Sequence, residues 1–108
     1  MTKPVELTDA NFKREVLEST VPVLVDVWAD WCMPCRMVAP AVEALAQQYA
    51  GKVKVGKMDA DNNLTPGQFG IRGIPTLLLF RGGKVVDRIV GAVPQQVIAS
   101  HIDTALLN

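Results

Sequence analysis

Runs of apolar residues predict five strands along the chain. The most distinct run is Val23–Trp28, which is rich in β-branched residues and is interrupted only by Asp26. A run without alternation is typical of a central strand that is covered on both faces. The other predicted strands, in chain order, are Pro4–Leu7, Lys52–Asp59, Thr76–Phe80 and Val85–Val90. The glycines in the turn between the last two tolerate positive φ, so we expect an antiparallel hairpin there.

Apolar residues at helical spacing predict the helices between these strands. Thr8 and Asp9 offer N-cap oxygens to a first helix that ends near Ser19. A second helix starts at Pro34 and stops at Gly51, because glycine is the usual residue just past a helix end. Its buried side is formed by Val38, Val42, Leu45 and Tyr49.

Two more helices complete the predicted fold. The third is short, follows Asp61–Asn63 and ends near Gly70, and the fourth follows Pro94. The buried stripe predicted for the fourth helix is Ile98, Ile102, Ala105 and Leu106. The element order βαβαβαββα places parallel crossover units first and an antiparallel hairpin last. We therefore predict an α/β domain with a mixed sheet and helices on both of its faces.

Length and charge narrow the class of protein. A chain of 108 residues is the size of one domain, so we predict a single domain over residues 1–108. Eleven basic residues balance eleven acidic ones, which argues against nucleic acid or an anionic membrane as the main partner. Charged residues interrupt every apolar run before it reaches the roughly 18 to 20 residues of a membrane span. Because the first residues lack a secretory apolar segment, we expect a soluble, cytoplasmic protein.

The segment Trp28–Arg36 holds both cysteines and both tryptophans of the chain. Cys32 and Cys35 are separated by two residues, so they can lie one helical turn apart and close a small disulfide. That ring is too short to restrain much of the unfolded chain, and its stabilising effect should be small. In a reducing cytosol such a pair is typical of catalysis or metal binding rather than of a structural crosslink.

The predicted start of the second helix assigns different roles to the two thiols. Cys32 lies at or just before the helix N-terminus, where free N–H groups and the helix dipole stabilise a thiolate, so we predict that it is the nucleophile. Cys35 lies one turn further in and is predicted to be the resolving thiol. Pro34 fixes the start of the helix between them. Two alternatives remain open: a pair of ordinary core thiols, and a zinc site, which would need ligands beyond two thiols and His101.

Asp26 is the one charged residue in the predicted central strand. Burial without a partner would disfavour its ionised form and raise its pKa. We hypothesise that Asp26 accepts the proton of Cys35 during the resolving step. Lys57 has the same strand parity as Val53 and Val55, so it could lie beside Asp26 and favour its ionisation. The alternative is a hydrogen-bonded buried acid without a catalytic role.

Three motifs together give the sequence a close resemblance to the thioredoxin family. They are Trp31-Cys32-Met33-Pro34-Cys35, the preceding Val27-Trp28-Ala29-Asp30, and Gly73-Ile74-Pro75-Thr76. The resemblance covers essentially the whole chain. It implies a thioredoxin fold, with a central mixed β-sheet of four to five strands flanked by about four helices on both faces. It also implies a cis peptide bond before Pro75. The substrate-binding residues that it implies are Trp31, Met33, Pro34, Ile74, Pro75, Gly91 and Ala92.

The same resemblance implies an activity, namely general reduction of protein disulfides by dithiol-disulfide exchange. Cys32 would attack a target disulfide, Cys35 would release the reduced product, and an NADPH-dependent thioredoxin reductase would recycle the chain. We expect a monomer that carries no bound cofactor or metal and acts on disulfide-containing target proteins. A more oxidising disulfide oxidase or isomerase, or a non-catalytic binding subunit with this fold, remains an alternative.

Met33 departs from the family pattern, which usually has glycine at this position, directly after the first cysteine and before the proline. Methionine is a much better helix former than glycine, and its thioether adds apolar surface beside Cys32. The substitution could shift the redox potential or change the choice of partners. We favour a changed partner preference, because Pro34, which lies next to Cys35, is retained.

Overall fold

The computed structural model describes residues 2–107, so Met1 and Asn108 of the predicted domain lie outside the described residues. Five strands form one mixed sheet in the order β1-β3-β2-β4-β5. The strands β1, β3 and β2 are parallel, whereas β4 is antiparallel to both β2 and β5. Their bounds are β1 Val5–Leu7, β2 Val23–Trp28, β3 Lys54–Asp59, β4 Thr76–Arg81 and β5 Lys84–Val90.

All five predicted strands are confirmed, but β3 begins two residues later than predicted. The N–H groups of Lys52 and Val53 donate to the carbonyl of Tyr49 at 2.8 and 2.9 Å. These bonds satisfy the last turn of the preceding helix, as helix ends require. The alternating pattern that begins at Lys52 therefore predicts a strand that is two residues too long. Lys52 and Val53 bond to the C-terminal end of the helix instead of forming the first residues of β3.

The helices are α1 Met33–Gln48, α2 Thr65–Gln68 and α3 Gln95–Leu107, with a 3-10 turn at Ala60–Asn62. The first predicted helix ends near Ser19 as expected, but its predicted start just after Asp9 is wrong, since the structure has a five-residue π-helical turn at Lys13–Leu17. Thr8 caps the turn before it, where its hydroxyl oxygen accepts from the N–H of Asn11 at 3.3 Å.

The predicted capping role of Asp9 is also wrong. Its carboxylate accepts hydrogen bonds from the N–H of Leu64 at 2.9 Å and from the N–H of Thr65 at 2.9 Å. The hydroxyl of Thr65 donates to it as well, at 2.6 Å. Asp9 therefore anchors the start of α2, more than fifty residues away in the sequence.

Apolar side chains cover both faces of the sheet. On one face, Leu24 and Leu79 pack with α1 and α3, and on the other Val25 and Phe80 pack with Phe12 beside the π-helical turn. The α/β class with helices on both faces is therefore confirmed. The predicted stripe of α3 is right for Ile98 and Ile102, which are buried, and Ala105 is half-buried. It is wrong for Leu106, which borders an open surface groove with Arg81 and Gly82.

The sheet brings the cysteine segment and the proline segment together. The strand β2 ends at Trp28 and leads into α1, while its neighbour β4 begins at Thr76, just after Pro75. Because β2 and β4 are antiparallel, Val27 lies opposite Thr76 at the same end of the sheet. Within residues 2–107, none of the helices combines the length and the apolar character that crossing a membrane requires.

Candidate active site

Cys32 and Cys35 form a disulfide at the N-terminus of α1, with their Cα atoms 5.2 Å apart. Cys32 is the N-cap residue, and its Sγ accepts a hydrogen bond from the backbone N–H of Cys35 at 3.2 Å. The prediction that Cys32 lies just before the helix is thus confirmed. An N–H group that points at Sγ would stabilise a thiolate there once the disulfide opens. Each cysteine is only 3% exposed in the disulfide form.

The disulfide is packed among apolar side chains. Ala29 is buried with it, and Trp28 and Ile74 pack against the same cluster. The peptide bond between Ile74 and Pro75 is cis, which is the geometry that the family resemblance implies. The N–H of Gly91 donates to the carbonyl of Pro75 at 2.9 Å, so the chain just after β5 is attached to the proline segment.

Trp31 and Ile74 line a shallow surface groove of about 480 Å³. The Trp31 ring is held in place by a hydrogen bond from its Nε1 to Oδ2 of Asp61 at 2.8 Å, although the residue is 70% exposed. The structure thus brings Trp31 together with Ile74, as predicted. It adds groove residues that were not predicted to line the site, most of them in the part of the β3–β4 loop before the Gly73-Ile74-Pro75-Thr76 motif, where the sequence has no such signature. They are Ala60, Asn63, Leu64, Pro66, Gly67, Ile71, Arg72 and Gly73.

Met33 is the first residue of α1, and Pro34 follows it within the first helical turn. The side chain of Met33 is 62% exposed, and Met37, one turn further along, is 71% exposed. The guanidinium of Arg36 donates to the backbone carbonyl of Asp30 at 2.6 Å and ties the start of α1 to the segment before it. The sequence predicted Met33 at this surface, but it did not single out Met37.

Asp26 is fully buried in β2, as its strand pattern predicted. Neither oxygen of its carboxyl group has a hydrogen-bond partner among the residues described. Desolvation raises the pKa of Asp26 from 3.8 to about 6, and the positive charge of Lys57 opposes part of this rise. A hydrogen bond from another protein group, which the structural alternative would use, is not made among the residues described.

Lys57 is the register partner of Asp26 on the neighbouring strand β3, as its parity predicted. Its Nζ lies 5.0 Å from the centre of the Trp28 ring, within the range of a cation–π contact. Lys57 and Cys35 also line the same small cavity, of about 120 Å³, together with Trp28, Ala29, Asp30, Arg36 and Ala39. Cys35 and Lys57, the register partner of Asp26, therefore line the same small cavity.

The zinc alternative finds no support in residues 2–107, which contain no cluster of three or more His, Cys, Asp or Glu side chains suited to a metal ion. His101 lies on α3, where its Nδ1 is 2.6 Å from Oδ2 of Asp87 on β5. It is engaged in that pair and does not approach the cysteines as a third ligand.

Comparison with known proteins identifies a consistent set of relatives. A family model described as Thioredoxin matches residues 3–104. The chain is 53% identical to "Thioredoxin 1" of Nostoc sp. over 107 residues, covering 98% of this chain and 100% of the relative. It is 54% identical to "Thioredoxin" of Synechocystis sp. with the same coverage, and 48% identical to "Thioredoxin" of Haemophilus influenzae over 95% of this chain and 97% of the relative.

Proposed function

Because the chain belongs to the thioredoxin family and is a thiol-disulfide oxidoreductase with the thioredoxin fold, we propose that it is a general reductant of protein disulfides. The observation that carries this proposal is the position of Cys32 as the N-cap of α1, with the N–H of Cys35 directed at its Sγ. A nucleophilic thiolate needs such a stabilised position, and disulfide exchange proceeds through a thiolate.

In the first step we assign the attack to Cys32. Its thiolate attacks one sulfur of a target disulfide, a mixed disulfide forms, and the second target sulfur leaves as a thiolate. Cys35 lies one turn further along α1, with its Cα atom 5.2 Å from that of Cys32, so it is held beside the new bond. Its attack on Sγ of Cys32 breaks the bond to the first target sulfur, which leaves as a thiolate, and restores the disulfide that the structure contains.

In the second step we assign proton transfer to Asp26 and Lys57. Cys35 must lose its proton to attack, and a carboxyl group with a pKa of about 6 can accept a proton near neutral pH. Lys57 is the register partner of Asp26 and shares a cavity with Cys35, so its charge acts on the carboxyl group from the side of the reacting thiol.

Targets dock on the surface around the disulfide. Three features support this assignment: Ile74 both packs against the disulfide and lines the groove beside Trp31, Met33 is exposed next to Cys32, and Gly91 is hydrogen-bonded to Pro75. An extended target segment can pair with the backbone of Ile74, as peptides do at an exposed strand edge. The proposed docking residues are Trp31, Met33, Pro34, Ile74, Pro75, Gly91 and Ala92.

Recycling completes the proposed cycle. We assign it to an NADPH-dependent thioredoxin reductase, which returns two electrons to the disulfide of Cys32 and Cys35. The protein then works as a monomer in the reducing cytoplasm, where such a dithiol is kept reduced.

The decisive experiment measures insulin reduction in the presence of NADPH and thioredoxin reductase. We expect catalytic turnover by the parent chain, and none by the Cys32→Ser variant. The Cys35→Ser variant should instead accumulate a mixed disulfide with the target. If the parent reduces insulin neither with the reductase nor with dithiothreitol, although dithiothreitol opens its disulfide, the reductase proposal is wrong and a binding subunit becomes the better interpretation. Turnover with dithiothreitol but not with the reductase would reject the recycling partner alone.

A further inference from the structure

Two methionines on the outer face of α1 differ sharply from the third that the structure describes. Met33 is 62% exposed and Met37 is 71% exposed, whereas Met58 on β3 is 1% exposed. Met33 and Met37 are four residues apart on a continuous helix, so their side chains are neighbours on one face. The pair thus places two accessible thioethers side by side at the start of α1.

These thioethers lie where a target must make contact. The disulfide is only 3% exposed, so a target sulfur can reach Sγ of Cys32 only by pressing against the residues around it. Met33 follows Cys32 directly in the chain. Trp31 and Leu64 are also highly exposed, and they line the groove that includes Ile74, which packs against the disulfide. A more polar side chain at position 33 would therefore change the affinity of the docking surface for target proteins.

We propose that Met33 and Met37 form a paired oxidation site through which peroxide or hypochlorous acid weakens the docking of target proteins. The docking consequence rests on the proposed function, whereas the modification itself does not. In the reaction with hydrogen peroxide, the O–O bond breaks, the thioether sulfur gives up two electrons and gains one oxygen, and water is released. Each sulfoxide places a strong hydrogen-bond acceptor on a surface that was apolar.

The disulfide form directs this reaction to methionine. Both cysteines are joined to each other, so no free thiol competes for the oxidant. Met58 is enclosed in the core and serves as an internal reference for accessibility. Methionine sulfoxide is reversible by methionine sulfoxide reductases, so the modification can act as a switch rather than as permanent damage.

The first arm of the test maps the site. The disulfide form is treated with hydrogen peroxide, the reaction is quenched, and oxygen addition is followed by peptide mass spectrometry. We expect Met33 and Met37 to be modified at least about tenfold faster than Met58, in keeping with its burial. Equal rates for the three residues, or modification of Met58 alone, would overturn the proposed site whatever the function of the protein.

The second arm measures the consequence for docking. The oxidised protein is reduced with dithiothreitol, which opens the disulfide, and assayed on insulin and on a small aromatic disulfide. We expect KM for insulin to rise about five- to tenfold because a bound target leaves the sulfoxide oxygen poorly paired, while kcat and the reaction with the small disulfide stay the same. A fall in both reactions would instead indicate damage to the thiols and reject the docking effect.

A double variant and a repair step provide the controls. In Met33→Leu/Met37→Leu the side chains stay apolar but cannot form sulfoxides, so the ratio of treated to untreated KM should be one. Treatment of the oxidised parent with methionine sulfoxide reductases should return its KM to the untreated value. The proposal is contradicted if treatment with the oxidant raises KM for insulin in the leucine variant as well, or if the reductases do not restore the KM of the parent. If the untreated parent does not reduce insulin, both the proposed function and the docking effect are rejected. The modification site is then judged by the peptide mass spectrometry alone.

Discussion

Asp26 and Lys57 are register partners on the parallel strands β2 and β3, yet neither carboxylate oxygen of Asp26 has a hydrogen-bond partner among the residues described. The ammonium of Lys57 lies instead over the ring of Trp28. When Asp26 is ionised, its buried negative charge is thus stabilised by the positive charge of Lys57 at a distance and not by a hydrogen bond from the residues described. Such a charge is unfavourable for folding, and an acid that is easily reprotonated is useful beside a thiol that must lose its proton.

The pH dependence of stability should reveal this burial. Raising a carboxyl pKa from 3.8 to about 6 stabilises the folded state at low pH, and that contribution is lost as the pH rises through about 6. The loss amounts to roughly 3 kcal/mol. We therefore expect the free energy of unfolding of the parent to fall between about pH 4 and pH 7 relative to Asp26→Asn. The measurement is chemical denaturation of the parent and of Asp26→Asn, each with its disulfide intact, across this pH range. If the free energies of unfolding of the two proteins change with pH in the same way, the raised pKa of Asp26 is contradicted.

The kinetic role of Asp26 is a separate prediction. Asp26→Asn should slow the attack of Cys35 on the mixed disulfide by about tenfold or more at neutral pH, and it should remove the dependence on a group near pH 6. Rapid-mixing measurements of target release across pH provide the test. Glu43→Gln removes an exposed carboxyl group from α1 and is the matched control. An unchanged pH profile in Asp26→Asn would exclude the proton-transfer role.

The hydrogen bond from Trp31 to Asp61 should matter for docking. Asp61→Ala removes the acceptor of the indole N–H and releases the ring at the groove. We expect KM for insulin to rise about threefold to tenfold, the range for one lost hydrogen bond, with little change in kcat. Asp61→Asn keeps an acceptor oxygen and should stay close to the parent. If the two variants behave alike, the ring does not depend on this bond.

Gly56 is required by the close approach of β1 and β3. A Cβ atom at this position would lie 2.5 Å from Cδ1 and 2.8 Å from Cγ of Leu7, which is buried. Gly56→Ala should therefore lower the free energy of unfolding by about 1 to 3 kcal/mol, the cost of overpacking. Gly67→Ala is the comparison, because nothing lies within 4 Å of its Cβ position. Similar stabilities of the two variants would show that Leu7 moves aside at little cost.

Met33→Gly tests the departure from the family pattern. We expect the redox equilibrium with glutathione to change little, because Cys32 remains the N-cap and Pro34 remains in the first turn. KM for apolar targets should rise instead, as the exposed thioether surface is lost. A large shift of the redox equilibrium with unchanged turnover by the reductase would reverse this interpretation.

The parts of the fold that were predictable are those with a local signature. The apolar run around Asp26 identified a central strand, and helical spacing after Pro34 placed Cys32 at the start of α1. The resemblance, rather than periodicity, implied a cis bond before Pro75, because most bonds before proline are trans.

The parts that were not predictable depend on contacts between distant segments. Asp9 could equally cap its own helix, and only the folded chain shows that it binds Leu64 and Thr65 instead. The bond between Trp31 and Asp61 spans thirty residues and leaves no pattern in the sequence. The π-helical turn at Lys13–Leu17 has the apolar spacing of an ordinary helix, so its type is set by packing.

The Asp9 contact ties one wall of the docking groove to the N-terminal part of the chain. Leu64 is part of the groove wall, and its backbone is held by a carboxylate 55 residues earlier in the chain. The cysteine turn is complete within a short local segment, whereas the groove exists only after the two distant parts of the chain have met. The geometry of the cysteine turn is thus set by neighbours in the sequence, whereas this wall of the groove depends on a contact between distant segments, so replacing Asp9 should disturb target docking more than the disulfide.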